Sequence, residues 1–420
     1  MTDQLQEILA TLKKNRMRTT LTGLSVSWGI FILIVLLGAG NGLKNGVMQN
    51  FSSRAVNRIS LWPGTTSMPH KGLKSERNLH FTENELDLIR NELEESRLIT
   101  ARINTSQTIS YGNEYGSYQV RGVMPNYFDI ENLIIGPGEG RFINQLDMKE
   151  TNKVIVLDKK VADLLFKDDS PLGKQVKVGQ LMFKVIGVNS KKEQWGGSNA
   201  YIPFSTAQAI FNPNRKFYQI TFTVDGLVTK EENDRFNESL RTLMGQRLNF
   251  NPEDQQALWI YNAQSDYVET MKIFGVITFI VALIGILTLI AGIVSVSNIM
   301  LVSVKERTRE IGIRKAIGAT PASILKTIIL ESIIITTIFG YIGLMMGIGL
   351  TETVNFFMEQ AANGQAVSDE PQMSIFTNPT VEVGYALFAT IVLIISGVIA
   401  GYLPARKAVK VKPIEAMRQE

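Results

Sequence analysis

The chain has 420 residues, 43 Lys plus Arg, 39 Asp plus Glu, two His and no Cys. The lack of Cys excludes disulfides, thiol catalysis and Cys-ligated metal sites. The two histidines, His70 and His80, both in one polar segment, leave little for a His-based metal site or an acid–base pair. A formal net charge of +4 is too small to point to nucleic acid. The charge is also strongly segregated along the chain, which argues against a soluble enzyme.

In chain order, a basic opening with Lys13, Lys14, Arg16 and Arg18 precedes a run from Thr19 to Leu43 that carries no ionisable residue. About 20 apolar residues suffice for a helix to cross a bilayer. This run exceeds the apolar core of a signal peptide, and no A-x-A cleavage site follows it. It is read as a first span over 19–43, behind a cytoplasmic segment 1–18.

Residues 44–272 are long enough for a folded domain. Val47, Phe51, Ala55 and Ile59 recur every four positions, so Leu43 to Ile59 reads as a helix prolonging the span until Trp62-Pro63-Gly64 ends it. Strand signals follow at Tyr118–Val123, Val154–Leu157, Val176–Val178, Phe183–Val188 and Gln219–Val224. Helices are expected at Glu83–Leu93, Lys159–Phe166 and Lys230–Leu243. The first of these carries a Thr82-x-x-Glu85 capping box and the stripe Phe81, Leu86, Ile89 and Leu93. Segments 63–78 and 190–198 read as loops, and Gly136-Pro137-Gly138-Glu139-Gly140 as a turn. Residues 255–272 read as a helix leading into the second span. The pattern describes a large α+β domain, with room for two lobes, tethered by two helices. A stiff helix carries displacement along its axis, so the tethers either transmit movement or serve as plain connectors.

Three more stretches give spans over 273–301, 326–350 and 383–403, and the one between Lys326 and Glu352 is interrupted only by Glu331. Lys305, Arg307, Arg309, Arg314, Lys315 and Lys326 lie between spans two and three. Arg406, Lys407, Lys410, Lys412 and Arg418 lie in the tail 404–420. The loop 351–382 has no Lys or Arg but holds Glu352, Glu359, Asp369, Glu370 and Glu382. The positive-inside rule then puts both termini and the link 302–325 in the cytoplasm, and residues 44–272 and 351–382 outside. Glu331 either serves a proton relay or pairs with a basic neighbour at the cytoplasmic face.

The link reads VSVKERTREIGIRKAIGATPASIL. Residues 305–317 favour a helix, with Glu310 and Arg314 four apart in the stabilising order and Ile311, Ile313 and Ile317 as apolar contact points. Gly318 ends it, and Pro321 suits the first turn of the next helix. Such a helix either lies on anionic lipid or docks into another protein. Nothing in the chain matches G-x-x-x-x-G-K-[ST], so ATP hydrolysis by these residues is not expected.

The string KERTREIGIRKAIGAT (Lys305–Thr320), the tail GYLPARKAVKVKPIEAMRQE (Gly401–Glu420) and the opening NRMRTTLTGLSVSWGIFILIVLLGAGNGL (Asn15–Leu43) resemble the MacB/FtsX-type ABC-transporter permeases. GRFINQLD (Gly140–Asp147), VIVLDKKVADLLF (Val154–Phe166), PLGKQVKV (Pro171–Val178) and FKVIGV (Phe183–Val188) resemble the MacB-type periplasmic core domain. The resemblance implies a non-catalytic, four-span permease of the bacterial inner membrane that dimerises, with itself or with a related permease. It implies a cytoplasmic ABC ATPase as partner, docked on a coupling helix through Glu306, Arg307, Arg309, Glu310, Ile311, Gly312, Arg314 and Lys315. It also implies mechanotransmission, in which ATP-driven closure moves the periplasmic domain through the stalk helices. MacB fuses its ATPase to the permease. Here only residues 1–18 precede the first span, so the ATPase is expected on a separate polypeptide. No cofactor is expected. Efflux with a periplasmic adaptor and an outer-membrane channel is the leading expectation. The alternatives are lipoprotein release and an FtsX-like relay to a cell-wall hydrolase, whose outer domains are smaller than this one.

Overall fold

The computed structural model describes residues 16–52, 54–93, 95–167, 169–191, 198–212, 214–364, 376–380 and 383–410. Most of the basic tail, the basic residues Lys13 and Lys14, part of the 190–198 loop and the acidic residues Asp369, Glu370 and Glu382 lie outside the described residues. The chain divides into two compact units, one built from residues up to Val47 and from Ile273 onward, the other from Met48–Lys272.

Each uncharged stretch belongs to a helix long and apolar enough to cross a membrane. These are α1 (Arg16–Ser52), α8 (Ala263–Glu306), α10 (Pro321–Gly364) and α11 (Val383–Val409). A 44-residue helix such as α8 or α10 is about 66 Å long, roughly twice what a bilayer core requires. The loop expected over 351–382 is therefore helical as far as Gly364, because α10 continues through Glu352 and Glu359 without a breaker.

In the membrane unit, Val26, Ile30 and Ile34 of α1 pack with Val296 and Met300 of α8, Ile328 and Ile335 of α10, and Leu393 and Ala400 of α11. Hydrophobicity does little to join helices in lipid, so close packing and hydrogen bonds must do it. At the α10–α11 contact, a side chain on Gly397 would put its Cβ 2.3 Å from Thr336 Oγ1 and 3.0 Å from Ile333 Cα. Only glycine allows that approach, and it lets Ser332 Oγ donate to the Gly397 carbonyl at 2.8 Å.

Among the described residues, the inter-span domain holds nine strands: β1 (Arg58–Pro63), β2 (Ser96–Tyr111), β3 (Glu114–Val123), β4 (Val154–Asp158), β5 (Gln175–Val178), β6 (Leu181–Asn189), β7 (Asn199–Pro203), β8 (Gln219–Val224) and β9 (Leu258–Asn262). Its helices are α2 (Glu83–Glu92), α3 (Tyr127–Ile130), α4 (Gln145–Lys149), α5 (Lys159–Phe166), α6 (Phe204–Phe211) and α7 (Lys230–Leu248). The order is β3-β7-β4-β6-β5-β2-β8-β1-β9, with β3 also paired to β2. The pairings β2–β3, β3–β7, β7–β4, β4–β6, β6–β5 and β5–β2 thus close a ring. The remaining strands, β8, β1 and β9, extend from the other half of β2. The domain has two parts, but they share the long strand β2 instead of separating into lobes.

Alternation along the strands decides which core each side chain joins. Ile155 and Leu157 of β4 face the main core with Phe183, Ile202, Phe217 and Phe222. Val156, between them, joins a smaller cluster with Val123, Tyr127, Ile143 and Tyr201. The capping carboxylate of α2 is in place, Glu85 accepting from the Thr82 backbone N–H at 2.7 Å and its hydroxyl at 2.6 Å.

Two expected helices are shorter than their periodicity suggested. The Leu43–Ile59 helix stops at Ser52, and Ile59 lies in β1 opposite Phe222 of β8 and Asn262 of β9. Leu258–Asn262 is likewise a strand, and α8 begins only at Ala263. Both segments satisfy more backbone groups by pairing in the sheet than by extending a helix end into solvent.

Candidate functional site

The link between α8 and α10 forms α9 (Thr308–Ala316). Arg307 joins it to α8 with φ −96° and ψ 9°, and the Thr308 hydroxyl donates to the carbonyls of Lys305 (2.7 Å) and Val304 (3.1 Å). The backbone ladder bridges the junction, Arg307 N–H donating to Ser303 O at 3.1 Å and Ile311 N–H to Arg307 O at 3.0 Å.

The end of α9 is a Schellman motif. Gly318 N–H donates to Lys315 O at 3.1 Å and Ala319 N–H to Arg314 O at 2.9 Å. Gly318 has φ +103°, a left-handed conformation that a Cβ would strain. The next helix starts at Pro321, behind Thr320 Oγ1, which accepts from Ser323 N–H at 3.3 Å.

The eight residues singled out in the sequence divide between two faces of α9. Ile311 and Gly312 are buried in the helix bundle, so they seat the helix and do not present it. Glu306, Arg309, Glu310 and Arg314 are exposed, and Arg307 and Lys315 are half-buried. Ile313 and Ile317 are exposed, Ile317 to 81 %. The exposed surface is therefore mostly charged, with an apolar tip.

Ion pairs hold the inner side. Arg307 Nη1 lies 3.2 Å from Glu331 Oε2 on α10, and Arg307 Nε lies 4.0 Å from Glu310 Oε2. Glu310 Oε1 in turn accepts from Arg314 Nη2 at 2.7 Å. Glu331, flagged as an isolated acid in a span, is 4 % exposed and meets a basic neighbour. The Lys315 ammonium donates to the Val409 carbonyl at the C-terminal end of α11, where the helix dipole favours a cation.

A cavity of about 100 Å³ opens beside this network, lined by Ser303, Arg307, Arg314, Ser323, Thr327 and Glu331 among others. Its hydroxyl lining went unnoticed in the sequence, because Ser303 of α8 meets Ser323 and Thr327 of α10 only in the fold. Among the described residues, no group of three or more His, Cys, Asp or Glu side chains is placed to hold a metal ion.

A family model described as MacB-like periplasmic core domain matches residues 19–241, and one described as FtsX-like permease C-terminal matches residues 270–413. The macrolide export ATP-binding/permease protein MacB of Acinetobacter baylyi (strain ATCC 33305 / BD413 / ADP1) is 27 % identical over 425 residues, covering 100 % of this chain and 60 % of that protein. MacB of Neisseria gonorrhoeae is 30 % identical over 423 residues, covering 99 % of this chain and 60 % of that protein. The chain thus spans about 60 % of the length of these curated relatives. The crystal structure of the periplasmic region of MacB from Actinobacillus actinomycetemcomitans aligns with a TM-score of 0.43 at 21 % identity, covering 54 % of this chain and 97 % of that one. With a MacB-like periplasmic core domain followed by an FtsX-like permease region, the chain belongs to the MacB/FtsX family of ABC-transporter permeases.

Proposed function

We propose that this chain is the non-catalytic permease of a MacB-like efflux transporter, driven by an ABC ATPase subunit that docks on α9. The observation that carries the reading is the two-sided build of α9. Ile311, Gly312 and the Arg307–Glu331 pair fix one side to the bundle, while Glu306, Arg309, Glu310, Arg314 and the tip at Ile317 lie on the exposed side. A surface of mixed charge around an apolar point suits protein docking, with the charges giving register and the apolar tip giving burial.

Orientation follows from the basic residues around α9, which belong on the cytoplasmic side; the inter-span domain then lies outside. α1 and α8 are each a single unbroken helix that extends past its membrane-crossing stretch into residues of the inter-span segment, which supports mechanotransmission: closure of the ATPases shifts the helices and the domain follows. Cargo therefore needs no polar path through the bilayer. Export as the purpose is supported by the relatives' printed role in macrolide export, and an adaptor and outer-membrane channel complete the proposal. α8 leaves Val276, Phe279, Leu283, Leu287 and Ile290 exposed, an apolar face suited to lipid or to a second copy in a homodimer.

The test is Glu310→Lys. Reversing this charge repels Arg314 and Arg307 and disrupts the exposed face without touching the spans. The variant should insert normally but fail to co-purify an ATP-binding subunit from native membranes, and nucleotide-driven export of a macrolide should be lost. Full retention of the ATPase would refute docking through α9.

A further inference from the structure

Both stalk helices attach to adjacent strands of the inter-span domain. α1 leads through a short turn into β1, β9 leads directly into α8, and β1 pairs with β9 with Ser60 opposite Tyr261. The first residue of β1 is Arg58, whose side chain is only 11 % exposed. Its Nη1 lies 4.0 Å from Glu131, the residue that closes α3, and its guanidinium lies over the Tyr261 ring, 5.5 Å from the centroid. The same carboxylate takes Arg54 Nε at 2.8 Å, and Ala55 N–H donates to Ile130 O at 2.9 Å. A few residues away, Phe51 of α1 meets Tyr267 of α8 edge-on at 5.7 Å.

This is an expensive way to fill space. Among the described residues, the buried Nε and Nη1 of Arg58 meet no hydrogen-bond partner. Burial pulls the pKa of Arg58 down, and the Glu131 carboxylate opposes that pull. A well-packed apolar side chain at such a site is often as stable as an ion pair. What an ion pair adds is direction, since it ties fixed atoms on separate elements. Here one guanidinium bridges the start of β1, the end of α3 and β9, at the point where the turn from α1 could otherwise flex.

We propose that Arg58, held by Glu131 and stacked over Tyr261, is the positioning residue that locks the ends of α1 and α8 to the inter-span domain, so that their movement is delivered to the domain and not absorbed in the turn. This rests on the mechanotransmission reading and on its two-copy assembly.

The chain has no Cys, so single Cys labels can be placed freely. Spin labels at the exposed positions Lys272, on α8, and Thr108, on β2, would report copy-to-copy distances in the complete transporter in nanodiscs, with and without ATP and vanadate. In the parent protein both distances should change with nucleotide. In Arg58→Met and Glu131→Gln the Lys272 distance should still change while the Thr108 change is lost. ATP hydrolysis should continue, and Arg58→Lys should restore part of the Thr108 response. A Thr108 change that persists in both variants overturns the joint. No nucleotide-dependent change at Lys272 in the parent, or no copy-to-copy signal, overturns the underlying reading instead. An unchanged nucleotide-free Thr108 distance distinguishes a folded variant from a misfolded one.

Discussion

Glu331→Ala tests how α9 is held. In the parent, Glu331 keeps 5 % of its side chain exposed and Arg307 keeps 30 %, with 3.2 Å between them. Removing one partner of a buried ion pair costs about 3–5 kcal/mol, because the surviving charge is stranded. Arg307 is not fully stranded here. Water reaches part of it, the neighbouring cavity can admit more, and Glu310 stands 4.0 Å away. These discounts reduce the expected loss to about 1–3 kcal/mol. That loss falls on the docked position of α9, whose apolar anchoring is limited to Ile311 and Gly312. At about 1.4 kcal/mol per factor of ten, opening of α9 should rise roughly 5- to 150-fold. Hydrogen exchange on the full chain in nanodiscs reads this directly, as reduced protection of the Thr308–Ala316 amides with little change in the inter-span domain. Replacing both partners, with Arg307→Met and Glu331→Leu, should recover much of the protection because no charge is left buried. Parent-like protection in Glu331→Ala would show that the pair does not hold the helix.

Other expectations follow from single contacts. Gly397→Leu forces a side chain into Thr336 and Ile333, and overpacking of this kind costs about 1–3 kcal/mol; the melting temperature in detergent should fall, while Ser332→Ala, which loses one interhelical hydrogen bond, should cost about 0.6 kcal/mol. Asp254 is buried and accepts from Ser67 N–H (2.6 Å), Ser67 Oγ (2.8 Å) and Met68 N–H (3.0 Å). Burial pushes its pKa up, but these hydrogen bonds outweigh that push and hold it below the ordinary value. A carboxylate with a lowered folded pKa stabilises the fold above its unfolded pKa of about 4 and loses that contribution as pH falls through the folded value. Asp254→Asn should therefore lower stability at neutral pH and flatten its decline below about pH 4, as chemical denaturation at several pH values would report. Gly318→Val strains a left-handed residue by about 1–2 kcal/mol and should fray the end of α9, seen as faster exchange at Lys315–Ala319.

The four spans were legible because bilayer length and the exclusion of charge act on contiguous sequence. The ends of α9 were legible for a similar reason: Gly318 and Pro321 impose local backbone geometry. The pairing of Glu331 with a basic residue was one of two readings of the sequence, but naming Arg307 required α8 and α10 to be brought side by side. The long strand β2 escaped notice although Ile99, Ala101, Ile103 and Ile109 alternate with polar residues, because Thr105 and Gln107 interrupt the apolar face where the strand changes partners from β8 to β5. β7 escaped for the opposite reason, since all five of its residues are buried and show no period.

Helix ends show where local rules gave way. The four-residue spacing of Val47, Phe51, Ala55 and Ile59 is helical by itself, but β8 and β9 take Ile59 into the sheet, and a two-sided ladder outweighs a marginal helical turn. Sequence alone thus determined what is contiguous: the membrane-crossing segments, the amphipathic link and the α+β character of the insert. The tertiary structure decided what depends on distant residues: the ring closed through β2 and β3, the acid that anchors Arg307, and the guanidinium at the foot of β1. Burial and ion pairing are properties of neighbours in space, and those neighbours are set only when the chain folds.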